Sequence, residues 1–444
     1  MTKKIIYSVL GPGVSAVGAA KLLKKMNEPC LILGDKDPAL WSDSFSFLDK
    51  YSVFLRQDDE KVDNFLNNLQ YLILSPGISR THKLVVHAVS RGVEIINEID
   101  LAVMYLAEKR DEGQKFIGVT GSNGKTTTVS LINHLLSSAG KKTFLGGNIG
   151  TPLSSFVSEG GKADFYILEL SSFQLETLSK LKLNYGIWLN FTPTHEERYK
   201  NVKDYFLAKL KIFELSNKKV MSSSMTEVFN DFKQTTEDLI SPKTNQLENI
   251  SLKNWKLKGD HNLENLQMAA FISKNLGLTD LQIQKGVDNF SPLEFRVQKI
   301  GAINGVNFFN DSKSTNIEST KKAISGFNPQ KLTLLIGGKV RDESLVNLNN
   351  WVEAIKEVND VIIFGEAANY FKGKLNLKNC SFFDSFSKVN FSFNTENNVL
   401  FSPGFPSFDE FKNYIERGEA FDNFFENLQK NQNIKNNNDP RSEE

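Results

Sequence analysis

The sequence predicts an α/β protein of three domains. Apolar segments of strand length alternate with helical segments along most of the 444 residues, a pattern typical of parallel sheets wrapped by helices. The length also exceeds what one hydrophobic core accommodates, at about 150 residues per domain. A third observation is a glycine-rich turn between an apolar strand and a helix at residues 116–136, a combination that binds phosphate in this class of fold.

The composition is that of a globular protein without a strong overall charge. Hydrophobic residues make up 40% of the chain and charged residues 24%, and the net charge is +1. No overall field therefore attracts nucleic acid or an anionic membrane, and no segment reaches the roughly 18 to 20 apolar residues that span a bilayer. Cys30 and Cys380 are far apart and are expected to be buried thiols. We expect a cytoplasmic protein that binds neither nucleic acid nor membrane.

The first domain is predicted at residues 1–107. Its first apolar run, 5–10, is interpreted as a strand and not as a signal peptide, because it breaks at the Gly-Pro-Gly of 11–13 and lacks a cleavage site. The charged segment 106–115 is interpreted as the linker to the next domain. Between these limits the pattern predicts a helix at 14–26 and strands at 30–33, 71–79 and 92–97.

The second domain is predicted at 108–295 and the third at 296–430. Residues 222–255 are polar, rich in asparagine and weakly periodic, so they receive no assignment. Residues 431–444 have no apolar face and are expected to be disordered. Strands are predicted in the second domain at 165–170 and 184–191, and in the third at 305–311, 331–338, 360–366 and 398–404.

The segment TGSNGKTT at residues 120–127 has the features of a phosphate-binding loop. Gly121 and Gly124 allow the bend, Lys125 can reach the terminal phosphates, and the hydroxyl of Thr126 can bind Mg²⁺. The pattern is a shortened variant, with Val119 where a small residue is usual. A structural turn with a chance lysine is the alternative, and we favour nucleoside triphosphate binding by Gly121, Ser122, Asn123, Gly124, Lys125, Thr126 and Thr127.

Two further side chains follow predicted strands of the second domain. Glu169 ends one apolar strand, and His195 follows the next one along the chain. Catalytic groups in parallel sheets collect beyond the carboxyl ends of strands, and a metal ion near phosphates needs a carboxylate. We therefore predict that Glu169 binds the metal. A histidine such as His195 is more often a surface residue, but its position after a strand favours a functional role.

Taken together, these motifs resemble the Mur ligase family of ATP-dependent amide-forming enzymes of peptidoglycan assembly. The resemblance covers nearly the whole chain and rests on the segments GVTGSNGKTTT, GGNIGTPL, LELSSFQLE, AKLKIFE, GDHNLENLQMAA, NDSKSTNIEST, LLIGG and SPGFPSFDEFKNYIERGEAF. It implies a Rossmann-like N-terminal domain that holds UDP, a central P-loop ATPase-type domain, and a Rossmann-like C-terminal domain that binds an amino acid.

The resemblance also implies roles for individual residues of the first two domains. The UDP-linked substrate is expected to contact Gly13, Val14, Ser15, Asp35, Lys36, Ser75, Pro76, Gly77, Asn148 and His195. Lys209 matches a lysine that CO₂ converts to a carbamate, which helps to hold a second Mg²⁺. The expected metal-binding set is Thr126, Glu169, His195 and carbamylated Lys209, and the expected catalytic set is Lys125, Glu169, His195, Lys209 and Lys313.

In the third domain the resemblance implies contacts with ATP and with the incoming amino acid. Asn262, Arg296 and Asp311 are expected to meet the base and ribose of ATP. Arg341 stands where a lysine is usual, and an arginine can also hold a carboxylate with two hydrogen bonds. The expected binding set for D-glutamate is Thr315, Arg341, Ser407 and Tyr414, and Phe405 could alter this pocket.

The implied activity is the addition of D-glutamate to UDP-N-acetylmuramoyl-L-alanine through an acyl phosphate, by a monomer that uses ATP and two Mg²⁺. One alternative is another Mur ligase that adds a different amino acid, and a second is a P-loop nucleotide switch. A third is a dinucleotide oxidoreductase, since Gly11, Gly13 and Asp35 loosely fit the dinucleotide fingerprint. Ser15 and Gly18 break the strict spacing of that fingerprint.

Overall fold

The computed structural model describes most of the chain. The described residues are 4–11, 13–35, 37–40, 42–48, 52–109, 113–193, 198–242, 244–257, 259–291, 295–340, 348–375, 377, 379–390 and 397–437. Within these ranges, none of the helices combines the length and the apolar composition needed to cross a membrane. The chain divides into two compact units, Met1–Asn254 with Leu263–Asn289, and Trp255–Asn262 with Phe290–Glu444.

The first sheet is parallel and carries helices in the connections between its strands. Its strands are β1 (Tyr7–Leu10), β2 (Cys30–Gly34), β3 (Val53–Arg56), β4 (Tyr71–Leu74) and β5 (Glu94–Ile96), in the order β3-β2-β1-β4-β5. Its helices are α1 (Val14–Lys25), α2 (Val62–Leu66), α3 (Lys83–Ser90) and α4 (Glu98–Glu108). The strand order reverses between β1 and β4, and open α/β sheets bind ligands at such a switch point.

The second sheet is also parallel, with the order β11-β10-β9-β6-β8-β7. Its strands are β6 (Lys115–Thr120), β7 (Thr143–Gly147), β8 (Phe165–Glu169), β9 (Leu183–Trp188), β10 (Ser216–Met221) and β11 (Leu239–Ile240). The helices of this part of the chain are α5 (Lys125–Ser138), α6 (Leu153–Ser158), α7 (Ser172–Thr177), α8 (Val202–Glu214), α9 (Met225–Asp231), α10 (Asp260–Asn275) and α11 (Asp280–Asn289). The unassigned stretch 222–255 therefore contributes α9 and the edge strand β11.

Buried side chains of α4 join the first sheet to the second. Asp100 accepts the backbone N–H groups of residues 179–181 at 2.9 to 3.1 Å, and Glu98 accepts that of Ser154 at 3.0 Å. One apolar cluster also contains residues from both sheets. The first two sheets thus form one unit, although the sequence predicts a domain boundary at residue 107.

Gly18 lies where α1 packs closely against α6. A Cβ atom at this position would lie 2.7 Å from Oγ of Ser154 and 2.8 Å from Oγ of Ser155. The glycine therefore serves helix packing, which explains why it does not follow the spacing of a dinucleotide fingerprint.

Gly18→Val is expected to destabilise the protein by about 1 to 3 kcal/mol, because extra methyl groups in a close contact force neighbours apart. Chemical unfolding would measure this loss. Lys24→Val, at an exposed position of the same helix, is the control for the cost of a β-branched residue in a helix. Equal losses in both variants would contradict the packing role.

The third sheet is mixed, with the order β12-β13-β17-β14-β15-β16. An antiparallel hairpin joins β12 to β13, and the other pairings are parallel. The strands are β12 (Gln298–Ile303), β13 (Val306–Asn310), β14 (Leu332–Gly337), β15 (Asp360–Phe364), β16 (Cys380–Phe383) and β17 (Asn398–Gly404). The helices are α12 (Ile317–Ile324), α13 (Leu348–Ile355), α14 (Gly365–Phe371) and α15 (Tyr414–Asn437). The last helix extends into the segment that the sequence predicts to be disordered.

Candidate functional site

The predicted phosphate loop connects β6 to α5 and bends at two glycines. Gly121 and Gly124 have φ values of 156° and 79°, and the second is a left-handed conformation that residues with a side chain rarely adopt. A Cβ atom on Gly124 would lie 2.6 Å from Oδ1 of Asn265 in α10. The loop leads into a 14-residue helix, whose N-terminal N–H groups and positive end attract anions.

The side chain of Lys125 lies along this loop. Its Nζ donates to the carbonyl oxygens of Gly121 at 2.8 Å and Ser122 at 3.0 Å. The positive charge is therefore held within the loop that the sequence predicts to bind phosphate.

Glu169 lies beside the loop because β8 pairs with β6 in parallel, with Val119 opposite Glu169. Only 2% of Glu169 is exposed. Its carboxylate accepts the hydroxyl of Thr126 and, at 2.9 Å, the amide of Asn148. Three residues that the sequence singled out thus form one hydrogen-bonded group.

Gly147 allows the segment that carries Asn148 to approach Glu169. Its φ is 97°, and a Cβ atom there would collide with the backbone oxygen of Glu169. The backbone N–H of Asn148 donates to the same oxygen at 2.8 Å.

Lys209, in α8, is a buried lysine, with 2% of the residue exposed. Its Nζ donates to the carbonyl oxygen of Gly121 at 3.0 Å and lies 4.9 Å from the ring centroid of Tyr205. Burial, and secondly the charge of Lys125, lower the pKa of Lys209 well below its usual 10.5, while Glu169 opposes the shift. A larger fraction of this amine is therefore neutral than in an exposed lysine.

The oxygens of Thr126 and Glu169 fit a Mg²⁺ ion, which binds one or two protein oxygens and fills its other positions with water or phosphate oxygens. The hydroxyl and the carboxylate are within hydrogen-bonding distance of each other, so one ion can bind both. Among the described residues, no cluster of three or more His, Cys, Asp or Glu side chains offers a separate site. The lysine side chain of Lys209 has no oxygen atom, so it could bind Mg²⁺ through oxygen only if it were converted to a carbamate.

The sequence reasoning missed the segment that follows β9. Asn190 and Thr192 hydrogen-bond to Ser122 and Asn123 of the phosphate loop. In α10, Asn265 accepts the hydroxyl of Thr128 at 3.2 Å. The position of Asn190, just beyond the carboxyl end of β9, is the signal that could have indicated it.

Two of the segments predicted to bind UDP, at 13–15 and 75–77, lie at the switch point between β1 and β4. Gly13 precedes α1, Ser75 follows β4, and the Ser75 hydroxyl donates to the carbonyl oxygen of Gly11 at 3.1 Å. These contacts bring the loops after β1 and β4 together. Asp35 directly follows β2 and is exposed.

Arg198, which the sequence reasoning also missed, holds the loop after β4. Its guanidinium donates to the carbonyl oxygens of Gly77 at 3.3 Å and Ile78 at 3.2 Å, and to the carboxylate of Glu176 at 2.7 Å. The group also lies 4.7 Å from the ring centroid of Phe173. The loop is thereby attached to α7, which begins three residues after Glu169.

In the second unit, Asp311 is buried at the end of β13. Its carboxylate accepts the hydroxyls of Ser314 at 2.5 Å and Ser402 at 2.7 Å, and the N–H of Val297 at 3.2 Å. Burial raises the pKa of Asp311 from 3.8 to about 6, although these hydrogen bonds and the charge of Arg296 oppose the shift.

Asp311 is expected to make the stability of the protein depend on pH. Its raised pKa means that the folded state binds more protons than the unfolded state, so its stabilising contribution is complete below pH 4 and lost as the pH rises through 6. The change is about 3 kcal/mol at about 1.4 kcal/mol per pKa unit. Thermal unfolding of Asp311→Asn and the parent is expected to show the variant gaining relative stability from pH 4 to pH 7. A constant difference would contradict this.

The residues predicted to meet the amino acid lie on two connected segments. The Nζ of Lys313 lies 3.8 Å from the ring centroid of Tyr414, and the hydroxyl of Ser312 donates to the Tyr414 carbonyl oxygen at 2.8 Å. The N–H of Gly404 donates to the Ser314 carbonyl oxygen at 2.9 Å. Thr315 follows on the first segment, and Ser407 is buried on the second.

Arg417 of α15 is fully buried and ties these segments to the end of β14. Its guanidinium donates to the carbonyl oxygens of Ser312 at 2.7 Å, Phe405 at 2.8 Å and Gly337 at 3.4 Å. Burial lowers the pKa of Arg417 to about 10, with Asp409 and Asp311 opposing the shift. The ring of Phe405 stacks on Trp351 at a centroid distance of 4.9 Å, so this side chain belongs to the apolar core.

For the other predicted residues, the structure gives at most their location in the fold. Asn262 lies in the first turn of α10, and Arg296 precedes β12. Lys36, His195 and Arg341 lie outside the described residues. Cys30 is buried as predicted, Cys380 is only half-buried, and these two cysteines form no disulfide.

Comparisons with known proteins agree with this arrangement. A family model described as the Mur ligase middle domain matches residues 119–273. The UDP-N-acetylmuramoylalanine–D-glutamate ligase of Prochlorococcus marinus (strain MIT 9515) is 30% identical, with 94% of each chain covered. The ligase of the same name from Rickettsia prowazekii (strain Madrid E) is 32% identical, covering 81% of this chain and 85% of the relative.

Solved structures show the same fold. The UDP-N-acetylmuramate-alanine ligase of Thermotoga maritima has a TM-score of 0.57 at 14% identity, with 95% of this chain and 99% of that chain covered. A MurF ligase from Thermotoga maritima in complex with ADP has a TM-score of 0.56 at 16% identity, covering 91% and 96%. The three-domain α/β fold is thereby confirmed, and the identity over nearly full-length relatives shows that this chain belongs to the Mur ligase family.

Proposed function

We propose that this chain is an ATP-dependent ligase that adds D-glutamate to UDP-N-acetylmuramoyl-L-alanine. A carboxylate oxygen of the alanine attacks the γ-phosphorus of ATP and releases ADP. The neutral amine of D-glutamate then attacks the carbonyl carbon of the acyl phosphate, which forms the amide and releases phosphate and a proton. The observation that carries this proposal is the group formed by Lys125, Thr126, Glu169 and Lys209 around one phosphate loop. The relatives that share most of the chain length carry the name of this ligase.

Each residue of this group has a role that follows from its contacts. Lys125 neutralises charge on the terminal phosphates as the phosphoryl group moves between two anions. Thr126 and Glu169 hold Mg²⁺, which when bound neutralises phosphate oxygens and orients them. Asn148 fixes the carboxylate of Glu169 through its amide.

The resemblance to the family supports the roles of five further residues. Asn262, Arg296 and Asp311 bind the base and ribose of ATP, and Lys313 and Thr315 bind the phosphate and the incoming amino acid.

We further propose that CO₂ modifies Lys209. A carbamate forms when a neutral amine nitrogen attacks the carbon of CO₂ and releases a proton, and the burial of Lys209 increases the neutral fraction. The carbamate is an anion, so it is not repelled by Lys125. Its oxygens and the side chain of His195 would hold a second Mg²⁺.

Separate segments of the chain bind the UDP-linked substrate and D-glutamate. The loops at Gly13–Ser15, Asp35–Lys36 and Ser75–Gly77 hold the UDP portion, and Thr315, Arg341, Ser407 and Tyr414 hold D-glutamate. The enzyme acts as a cytoplasmic monomer on small molecules, without nucleic acid or membrane. The net charge of +1 and the lack of a disulfide between Cys30 and Cys380 support this assignment.

The test is phosphate release by purified protein with ATP, Mg²⁺, UDP-N-acetylmuramoyl-L-alanine and each amino acid of a panel. We expect release with D-glutamate and product of the corresponding mass. Release with another amino acid alone would indicate a different Mur ligase specificity. ATP hydrolysis that is unchanged by both substrates would favour a nucleotide switch.

A further inference from the structure

Asn190 makes a reciprocal pair of hydrogen bonds with the backbone of the phosphate loop. Its Oδ1 accepts the N–H of Asn123 at 2.8 Å, and its Nδ2 donates to the carbonyl oxygen of Asn123 at 3.0 Å. One side-chain amide thus fixes both polar backbone groups of a single loop residue.

The neighbouring residue of the loop is held by the same segment. The N–H of Ser122 donates to the carbonyl oxygen of Asn190 at 3.1 Å. The hydroxyl of Ser122 donates to the Thr192 carbonyl oxygen at 2.9 Å and lies 2.8 Å from the Thr192 nitrogen, whose N–H it accepts. The backbone of residues 190–192 therefore runs along the loop on one side.

These contacts determine which loop groups can meet a ligand. The N–H groups of Ser122 and Asn123 both donate to Asn190, so they serve to shape the loop and not to bind phosphate. The first N–H groups of α5 and the ammonium of Lys125 remain as groups that can bind an anion. Because the loop contains Gly121 and Gly124, it would otherwise have large conformational freedom.

We infer that Asn190 is a positioning residue that holds the phosphate loop in the shape that binds the nucleotide. The inference rests on the proposed function, since it concerns the same ATP site. It predicts that removing the amide weakens nucleotide binding without affecting the site for the UDP-linked substrate.

The test is the binding of MgADP by isothermal titration calorimetry to the parent and to Asn190→Ala. Two hydrogen bonds of ordinary strength correspond to an affinity loss of about tenfold. We also expect the KM for ATP to rise by about the same factor, whereas the KM for the UDP-linked substrate stays within about twofold of the parent. A purely structural role would alter both KM values alike.

Asn184→Ala is the matched control. Asn184 lies on β9, the strand that precedes Asn190, and its Oδ1 accepts the N–H of Phe116 on β6 at 2.8 Å, at the other end of this strand pair. This variant is expected to lose similar stability but to bind MgADP as the parent does.

The outcomes separate the two hypotheses. If the parent does not bind MgADP, the proposed function is wrong. If the parent binds and Asn190→Ala binds equally well, or if Asn184→Ala loses as much affinity, the role of Asn190 is wrong. Should Asn190→Ala fail to fold, Asn190→Asp replaces it. The aspartate carboxylate still accepts the N–H of Asn123, but it cannot donate to the Asn123 carbonyl oxygen and repels it. Parent-like affinity of Asn190→Asp would likewise overturn the inference.

Discussion

Lys125→Ala is expected to lower kcat/KM for amide formation by about 10³-fold, the order found when a main charge-stabilising group is removed from a transition state. The reason is that the Lys125 ammonium, held 2.8 Å from the carbonyl oxygen of Gly121, is the cation of the phosphate loop itself. Phosphoryl transfer to a carboxylate brings two anions together, and without this charge their repulsion remains. Initial rates of phosphate release with both substrates would measure the effect.

Lys142→Ala is the control for Lys125→Ala, because Lys142 is exposed and lies just before β7. Its activity is expected to stay within about twofold of the parent, since isolated surface charges contribute little. Parent-like ligation by Lys125→Ala would contradict the role of the loop in ATP use.

Lys209→Met is expected to lower kcat by about 10²- to 10³-fold, the range for loss of one electrostatic group in an active site. Methionine is unbranched and fills a similar volume, so the change removes the amine without leaving the cavity that alanine would. The parent is also expected to lose activity in CO₂-depleted buffer and to recover it with bicarbonate, whereas the variant responds to neither. Lys203→Ala, at an exposed position of the same helix, serves as the control.

The direction of pH dependence follows from the lowered pKa of Lys209. Acidification protonates the amine, and the ammonium form cannot attack CO₂, so carbamylation and activity are expected to fall together as the pH falls. The carbamate carbon is observable by ¹³C NMR with labelled bicarbonate. Full activity of the parent without any carbamate signal would contradict the modification.

Local patterns predicted most interior strands of the three sheets and missed most edge strands, although the edge strand β5 was predicted and the interior strand β10 was not. β1, β8 and β14 are buried along their whole length and therefore appear as continuous apolar runs. β3, β11, β12 and β16 are edge strands with half-buried or exposed positions. Three of these strands have only two to four residues, and β12 begins with two polar residues and contains a glycine, so no local pattern distinguishes them from loops.

The same limit applies to the site. Lys125 and Thr126 were predictable because the glycine turn, the strand before it and the helix after it are contiguous in sequence. Asn190 reaches the loop across 67 positions, and Arg417 reaches Ser312 across 105 positions. Such contacts exist only once the sheets have formed. A single asparagine or arginine is not part of a periodic sequence pattern, so the sequence does not indicate its contacts.

The contacts of buried Arg417 also affect when the segments around Ser312 and Phe405 become fixed during synthesis. This side chain belongs to α15, which follows all the strands of the three sheets along the chain, and it donates to carbonyl oxygens of loops that a ribosome makes much earlier. Those loops cannot be locked by the guanidinium until α15 has left the exit tunnel. The nascent chain is thus able to form the loop at 120–127 before the segments around Ser312 and Phe405 are fixed in place.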